Sequence, residues 1–283
     1  MIDNMKAMLL KAEAEKYAVP QFNINNLEWT RFILEECERL KSPVILGVSE
    51  GAAKYMGGFQ TVADMVKNLV EFLSITIPVA IHLDHGSSFE NCIKAINAGF
   101  TSVMIDASKY KVEDNIKITK QVTDYARTKN ITVEAEVGAV GGEEDGVADE
   151  LAYAKVEDAL KLFNETNIDF LAPALGSVHG IYKGEPKLDF HRMVEIHDLI
   201  NSPMVLHGGS GIPDDLIKKA ISCGICKINI NTELQIAWSK GVRQFLNDDL
   251  KVYDPRKIIK SGEKNIKAMI ESKIMLFGSN NKA

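Results

Sequence analysis

The feature that most constrains the fold is a short apolar run followed by an amphipathic segment, a unit that recurs eight times in this chain of 283 residues. The apolar runs predict strands, and the segments between them have the spacing of amphipathic helices. Alternating strands and helices form parallel sheets, and eight such units can close into a (β/α)8 (TIM) barrel. The predicted strands are residues 19–23, 44–48, 77–83, 101–105, 131–137, 168–172, 204–206 and 225–229.

Helical periodicity accounts for most of the remaining chain. No linker or low-complexity segment interrupts it, so we expect one domain of residues 1–283. An open, doubly wound sheet is the main alternative, but polar residues follow at least seven of the strands, which suits a ring better than a single crevice. The predicted helices are residues 3–16, 27–40, 60–73, 88–98, 112–128, 155–166, 189–200, 213–222, 232–247, 255–261 and 264–276.

Composition limits the classes of function. A net charge of −6 argues against nucleic-acid binding through a basic surface. No apolar stretch approaches the roughly 20 residues of a membrane-spanning helix, and the N-terminus lacks the residue order of a signal peptide. Four cysteines in a chain of this length do not indicate a disulfide framework and fit a reduced compartment. We therefore expect a cytoplasmic protein with no membrane or nucleic-acid partner.

Three histidines each stand at the end of a different predicted strand. His85, His179 and His207 follow the third, sixth and seventh strands. Because the carboxyl ends of parallel strands meet at one face of a barrel, we expect the three rings to converge there. Neutral imidazole suits zinc, and three protein ligands with an open position are typical of a catalytic zinc site. The alternative is that the three histidines are unconnected structural residues.

Carboxylates occupy the same strand ends. Asp84 directly precedes His85, so it could act as general acid and base beside a metal, or could support the His85 ring. His82 lies two residues further inside the strand, where we expect it to pack or to orient Asp84. Asp106 and Glu136 end the fourth and fifth strands. They could hold a second cation or pair with the ligands of the first, and spacing alone leaves both open.

Two polar turns have the composition of anion sites. Residues 207–211 offer backbone N–H groups, and residues 229–232 add amide, hydroxyl and helix N-terminal donors. These turns follow the seventh and eighth strands, the usual phosphate position in such barrels. The alternative is ordinary turn and helix-capping chemistry. A third segment, residues 138–150, is a glycine- and acid-rich loop that could carry an acid–base group over a site or could simply be solvated.

Together these motifs resemble the class II, metal-dependent fructose-1,6-bisphosphate aldolases. The resemblance runs from residues 17–23 to the C-terminal residues 277–279. It implies a glycolytic lyase that reversibly cleaves fructose 1,6-bisphosphate into dihydroxyacetone phosphate and glyceraldehyde 3-phosphate. Tagatose 1,6-bisphosphate, which differs only in its C4 configuration, is the alternative substrate. The matching motifs are HLDHG at 82–86, GGEED at 141–145, GSVHG at 176–180, HGGSG at 207–211 and YDPR at 253–256.

The resemblance implies a role for each catalytic residue. Asp84 would take the proton of the C4 hydroxyl during cleavage, and Glu144, on the loop, would exchange a proton with the carbon of dihydroxyacetone phosphate. The implied metal ligands are His85, His179 and His207 for the catalytic Zn²⁺, with Asp106 and Glu136 for a second or alternative divalent cation. A monovalent cation is often used by the family near the phosphate.

The resemblance also implies where the substrate binds. Arg256 resembles an arginine that reaches the distal phosphate from a neighbouring subunit, so a homodimer or homotetramer is implied. Asn231 is a departure, because some members carry aspartate there. The substrate- and phosphate-binding positions implied are Asn23, Ser49, Gly180, Gly208, Gly209, Ser210, Asn229, Ile230, Asn231, Thr232 and Arg256.

Two further interpretations belong to other classes. A Schiff-base aldolase on the same barrel needs an inward-pointing lysine, for which Lys227 in the eighth strand is the candidate. That reading would leave the three strand-end histidines unexplained. A non-catalytic metal- or phosphate-binding barrel would predict loss of the acid–base residues, yet Asp84 and Glu144 are both present.

Overall fold

The computed structural model describes residues 2–144, 147–149, 151–182 and 184–283, and the side chains of residues 143, 144 and 147–149 lie outside that description. The strands in this part of the chain are β1 (Val19–Asn23), β2 (Val44–Val48), β3 (Val79–Gly86), β4 (Ser102–Ile105), β5 (Thr132–Val137), β6 (Gly141–Glu144), β7 (Val147–Asp149), β8 (Phe170–Pro173), β9 (Val178–His179), β10 (Met204–Leu206) and β11 (Ile225–Ile230).

Eight of these strands close into a parallel barrel in the order β1–β11–β10–β8–β5–β4–β3–β2. The predicted (β/α)8 barrel is therefore confirmed, with the sixth, seventh and eighth predicted strands observed as β8, β10 and β11. Strand β3 continues to Gly86, beyond its predicted end at residue 83. The extension arises because Gly86 still pairs with Ile105 of β4 after a shift in register that follows Leu83.

Helices surround the barrel, and α1 precedes the first strand. The six-residue helix Glu50–Tyr55 was not predicted, because it is too short to show a helical period. None of the helices in the described part of the chain has the length and hydrophobicity needed to cross a membrane. The helices are α1 (Lys6–Glu15), α2 (Leu27–Leu40), α3 (Glu50–Tyr55), α4 (Phe59–Phe72), α5 (Phe89–Ala98), α6 (Val112–Arg127), α7 (Val156–Thr166), α8 (Phe190–Ile200), α9 (Asp214–Ser222), α10 (Thr232–Asp248), α11 (Pro255–Lys260) and α12 (Glu263–Phe277).

Side-chain alternation along the strands separates two apolar regions. In β3, Ile81 and Leu83 belong to the large cluster between the sheet and the helices. Ala80 faces the barrel interior and belongs to a smaller cluster near the amino ends of the strands, which also contains Leu9 of α1 and Met5 just before that helix. Helix α1 therefore closes the lower end of the barrel, and the polar residues collect at the upper end.

The segment at residues 138–150 is partly a sheet, which corrects its prediction as a loop. Strand β6 pairs antiparallel with β7 and parallel with β9. Gly142 has a positive φ of 101°, and a Cβ there would lie 2.2 Å from the backbone oxygen of His179. The glycines that suggested a loop thus permit a close approach between two backbones.

Candidate metal centre and active site

The three strand-end histidines converge at the upper mouth of the barrel. The ring centroid of His85 lies 5.0 Å from that of His179 and 4.7 Å from that of His207, and the last two are 6.0 Å apart. Each histidine has one ring nitrogen that lies within 4.8 Å of a ring nitrogen of the other two. Three ring nitrogens gathered in this way form a group that could hold a metal ion.

An irregular backbone aims the His85 ring. His85 has a positive φ of 50° and lies where the register between β3 and β4 shifts, the arrangement of a bulge. Its Nδ1 lies 2.8 Å from Oδ2 of Asp106, the residue that follows β4. Burial alone would lower the pKa of His85, but the hydrogen bond to Asp106 and the nearby carboxylates raise it well above its usual value. Asp106 therefore fixes the orientation of the ring and, with a cation in place of the proton on Nε2, would also fix its tautomer.

Two glutamates of β5 flank the His207 ring. Its Nε2 lies 2.9 Å from Oε1 of Glu134, and its Nδ1 lies 3.0 Å from Oε2 of Glu136. Burial opposes the charged imidazole, yet the two carboxylates raise the pKa of His207 to about 9. Glu134 lies below the ring and contacts Nε2. The other nitrogen, Nδ1, therefore faces the mouth of the barrel.

Below the histidines lies a buried ion pair that the sequence analysis did not identify as part of the site. Lys227 Nζ lies 2.6 Å from Oε2 of Glu134, and both side chains are fully buried. His82 Nε2 lies 3.5 Å from the same ammonium, and its Nδ1 bonds Ser102 at 2.8 Å. Burial and the adjacent Lys227 lower the pKa of His82 to about 3, so this ring is neutral.

This network bears on two of the predictions. Lys227 is fully buried and held against Glu134, which leaves the Schiff-base interpretation without an accessible amine. His82 packs in the interior as expected but forms its hydrogen bonds away from Asp84. Glu134 and Glu136 are two residues apart in β5, so their side chains lie on the same face of the strand. This spacing was the one signal in the sequence that both carboxylates point inward.

Asp84 is positioned by two asparagines rather than by His82. Asn23 donates from Nδ2 to one carboxylate oxygen at 2.9 Å, and Asn229 donates from Nδ2 to the other at 3.3 Å. Burial would raise the pKa of Asp84, but the surrounding cations, His85 first, hold it below its usual range. The carboxylate is therefore ionised and oriented at neutral pH. Asn229, assigned by resemblance to the phosphate, contacts Asp84 with its side chain.

A second group of possible ligands shares His85. One donor atom each from His85, Asp106 and Glu136 lie within 4.8 Å of one another. The pKa of Asp106 is depressed: burial opposes the charge, but the His85 hydrogen bond outweighs it. Burial and the nearby Asp106 raise the pKa of Glu136. His85 therefore belongs to both groups of possible ligands.

The predicted phosphate turn is tightly constrained. Gly208 has a φ of +62°, and a Cβ there would lie 2.3 Å from the backbone oxygen of Val178. Tyr182 links the same two segments, because its hydroxyl accepts from Val178 N and donates to Gly208 O, each at 3.0 Å. The N–H of Gly209 donates to the backbone oxygen of Asn229, so it is not available to a ligand.

The other turn residues lie at the start of α10. The Ser210 side chain is buried and accepts from the N–H of Glu233 at 3.4 Å. Asn231 is the N-cap of α10 and Thr232 its first residue, whereas the Ile230 side chain is buried in the outer core. The turn therefore ends at the N-terminus of a 17-residue helix, where an anion is favoured.

A cavity of about 390 Å³ opens above Asp84, His85 and His179. Ser49 lines it and caps α3 by accepting from the N–H of Ala52. The cavity is also lined by four residues that were not predicted from the sequence, Glu50, Ser87, Ser108 and Lys109. The loops after β2, β3, β4 and β5 thus supply its walls, together with the ends of β3, β5 and β9.

Two further predicted residues, Arg256 and Gly180, are not among the residues that line the cavity. Arg256 lies on α11 with an 88% exposed side chain and is paired with Asp254 at 3.0 Å. Gly180, which follows β9 with a φ of +82°, is not a lining residue. The backbone of Glu144 belongs to β6, but its side chain lies outside the described part of the structure.

Known proteins resemble this chain over its whole length. A family model described as "Fructose-bisphosphate aldolase class-II" matches residues 3–282. The fructose-bisphosphate aldolase of Geobacillus stearothermophilus is 60% identical over 281 residues, which cover 99% of this chain and 98% of that protein. That of Staphylococcus aureus strain Mu50 is 57% identical over the same length and the same shares. The crystal structure of the YdjI aldolase from Escherichia coli K12 is 35% identical, with a TM-score of 0.88 and 100% of both chains covered.

Proposed function

The chain belongs to the class II fructose-bisphosphate aldolase family, and we propose that it cleaves fructose 1,6-bisphosphate reversibly into dihydroxyacetone phosphate and glyceraldehyde 3-phosphate. One observation supports this most strongly. Three imidazoles converge around a common point, and an ionised carboxylate, Asp84, precedes one of them in the same strand. A lyase of this type needs both an electrophilic centre and an adjacent base.

The donor set fits a divalent zinc ion. We assign the ligand atoms as Nε2 of His85 and Nδ1 of His207, because Asp106 and Glu134 occupy the opposite ring nitrogens. His179 would complete three imidazole ligands, and burial together with the two neighbouring rings lowers its pKa to about 3, so it is neutral and able to coordinate. When bound, zinc supplies Lewis-acid chemistry that stabilises the negative charge developing when the C3–C4 bond breaks.

Asp84 performs the proton transfer at C4. Its carboxylate accepts the C4 hydroxyl proton as the C3–C4 electron pair moves to the ketose side, which yields the aldehyde. In condensation the same proton returns to the aldehyde oxygen. The amides of Asn23 and Asn229 hold the two carboxylate oxygens, so Asp84 needs no reorientation between the two directions. We assign the later protonation of the C3 carbon to Glu144.

The ketose-side phosphate binds at the turn after β10 and the start of α10. Ser210 and Thr232 supply hydroxyl groups and α10 its positive N-terminal end. We propose that Gly208 and Gly209 shape the pocket by close backbone packing, while Gly180 and residues 229–232 border it. A monovalent cation beside this phosphate, and a second divalent cation at Asp106 and Glu136, are further parts of the proposal.

We also propose that Arg256 acts on the distal phosphate of a second copy in a homodimer or homotetramer. Its position on α11, outside the cavity of its own chain, supports a role between subunits. Ser49 would contact the same end of the substrate from the loop after β2. The single chain would then contain the chemistry but only part of the distal subsite.

The direct test is the rate of cleavage of fructose 1,6-bisphosphate before chelation, after chelation and after zinc is added back. We expect chelation to abolish cleavage and zinc to restore it. Tagatose 1,6-bisphosphate is the matched substrate, since it changes only the C4 configuration, and we expect it to be cleaved more slowly. Undiminished cleavage by protein shown to contain no zinc would contradict the metal assignment, and faster cleavage of tagatose 1,6-bisphosphate would contradict the substrate.

A further inference from the structure

We propose that Lys109, in the loop after β4, binds the aldehyde-side phosphate of the substrate and thereby selects phosphorylated aldehydes. The inference rests on the proposed aldolase function and extends it to a residue that neither the motifs nor the resemblance identified. A bisphosphate needs two anion sites, one on each side of the reacting bond. The turn after β10 accounts for one of them, and for the other the proposal so far gives Ser49 of the same chain and Arg256 of a second copy.

The charges that line the cavity make Lys109 distinctive. Four carboxylates border it, yet among the described residues Lys109 is its one lysine or arginine. Within the described chain, no acidic group lies in ion-pair distance of its ammonium, which is instead 5.3 Å from the centroid of the Tyr110 ring. A bisphosphate entering this acidic cavity would therefore meet an unpaired cation there. The four carboxylates belong to Glu50, Asp84, Asp106 and Glu136.

The barrel order places Lys109 on the side opposite the first phosphate. In the ring β1–β11–β10–β8–β5–β4–β3–β2, strand β4 is four steps from β11 in either direction. The ketose-side phosphate turn follows β10 and β11, so the loop after β4 faces it across the mouth. The histidines and Asp84 lie between the two sides, as the cleaved bond of an extended bisphosphate requires.

The loop that carries Lys109 is fixed to the metal site. The N–H and hydroxyl of Ser108 both donate to Oδ1 of Asp106, at 3.1 and 2.7 Å. The N–H of Tyr110 donates to the backbone oxygen of Ala107 at 3.0 Å and closes a turn around Lys109. Because Asp106 also holds His85, the base of the Lys109 side chain has a fixed position relative to the reacting centre.

Two reactions of the same enzyme can show whether Lys109 binds the aldehyde-side phosphate or contributes to catalysis in general. Cleavage of fructose 1,6-bisphosphate involves the aldehyde-side phosphate, whereas exchange of the carbon-bound proton of dihydroxyacetone phosphate with deuterium, followed by NMR, does not. We expect Lys109→Gln to raise KM and lower kcat/KM for cleavage about 10- to 100-fold, with little change in kcat. The exchange rate and the KM for dihydroxyacetone phosphate should be unchanged.

Two control variants sharpen the test. Lys109→Arg should keep most of kcat/KM because it retains the charge, and Lys111→Gln, an exposed residue nearby that does not line the cavity, should change it less than twofold. Equal losses in cleavage and exchange, or no loss in either, would overturn the assignment while leaving the aldolase function intact. Wild-type protein inactive in both reactions would instead contradict the proposed function and this inference with it.

Discussion

The lower and upper halves of the barrel interior are built from the same strands but differ in chemistry. The lower half is apolar, with Leu9 of α1 packed against Ile45 and Phe170. Toward the carboxyl ends of the strands the interior instead holds buried ionisable groups such as Asp84 and His207, and Glu134 and Lys227 form a fully buried ion pair beneath them. Burying apolar groups stabilises a fold, whereas burying charges costs free energy unless they are closely paired. We infer that the lower half supplies stability and the upper half supplies function.

The largest expected effect comes from Asp84 in the upper half. Asp84→Asn removes the base while keeping the size of the side chain, so kcat should fall about 10²- to 10⁴-fold. The free energy of unfolding should change little, because the substitution removes a buried charge as well as its favourable contacts. Steady-state kinetics and denaturant unfolding measure the two effects. Asp64→Asn, on exposed α4 surface, is the control, and a loss of stability without a loss of kcat would reverse our assignment.

The lower half should show the opposite pattern. Leu9 is fully buried, so Leu9→Ala should lower the free energy of unfolding by about 2–5 kcal/mol. Zinc affinity and kcat/KM of the folded enzyme should match those of the wild type. The adjacent Leu10, whose side chain is 47% exposed, provides a matched Leu10→Ala control with an expected change below about 0.5 kcal/mol. A large kinetic defect in Leu9→Ala would show that the two halves are coupled.

Glu134 lies at the boundary between the halves and should affect both quantities. Glu134→Gln weakens the acceptor that fixes the His207 tautomer, so zinc affinity should fall about 10- to 100-fold in a metal titration. It also leaves the Lys227 ammonium buried without its counter-charge, which lowers stability. Adding Lys227→Met should recover stability but not zinc affinity. Recovery of both would mean that Glu134 acts only through its ion pair.

The smallest effect concerns Glu38, near the lower rim. Burial would raise its pKa, but hydrogen bonds from Lys41 and from residues 76 and 77 lower it to about 2. A depressed folded pKa means that Glu38 stabilises the fold above its unfolded pKa, about 4.5, and that this stabilisation is lost as pH falls through 2. Glu38→Gln should therefore destabilise by about 1 kcal/mol at pH 7 and by less near pH 3. An unfolding difference independent of pH would contradict this.

The upper rim was predictable because its signals are local. His85 and His207 stand directly at the ends of apolar runs, and the parallel topology alone implies that such residues meet. The contact between Glu134 and Lys227 was not predictable, because it crosses the interior between strands that are not neighbours. The sequence pattern does not reveal how far β5 and β11 are offset along the barrel axis, and this offset decides whether the two side chains meet.

Two elements, α3 and β6, were not predicted, for a different reason. Helix α3 has too few residues for a period, and β6 pairs with β9 through backbone contacts made possible by Gly142. Glycine is a turn signal in a sequence, and only the paired backbone reveals that it serves a close approach here. The contact of the Asn229 side chain with Asp84 was likewise not predicted, because β11 and β3 are not neighbours in the ring.

X-ray absorption at the zinc edge of the purified enzyme tests the central claim most directly. Two groups of donors compete at the upper rim: the three histidines, and His85 with Asp106 and Glu136. We predict a first shell with three imidazoles at about 2.0–2.1 Å and a light-atom ligand in the open position. A first shell with one imidazole and two carboxylates would contradict the three-histidine site and move the metal to the other group.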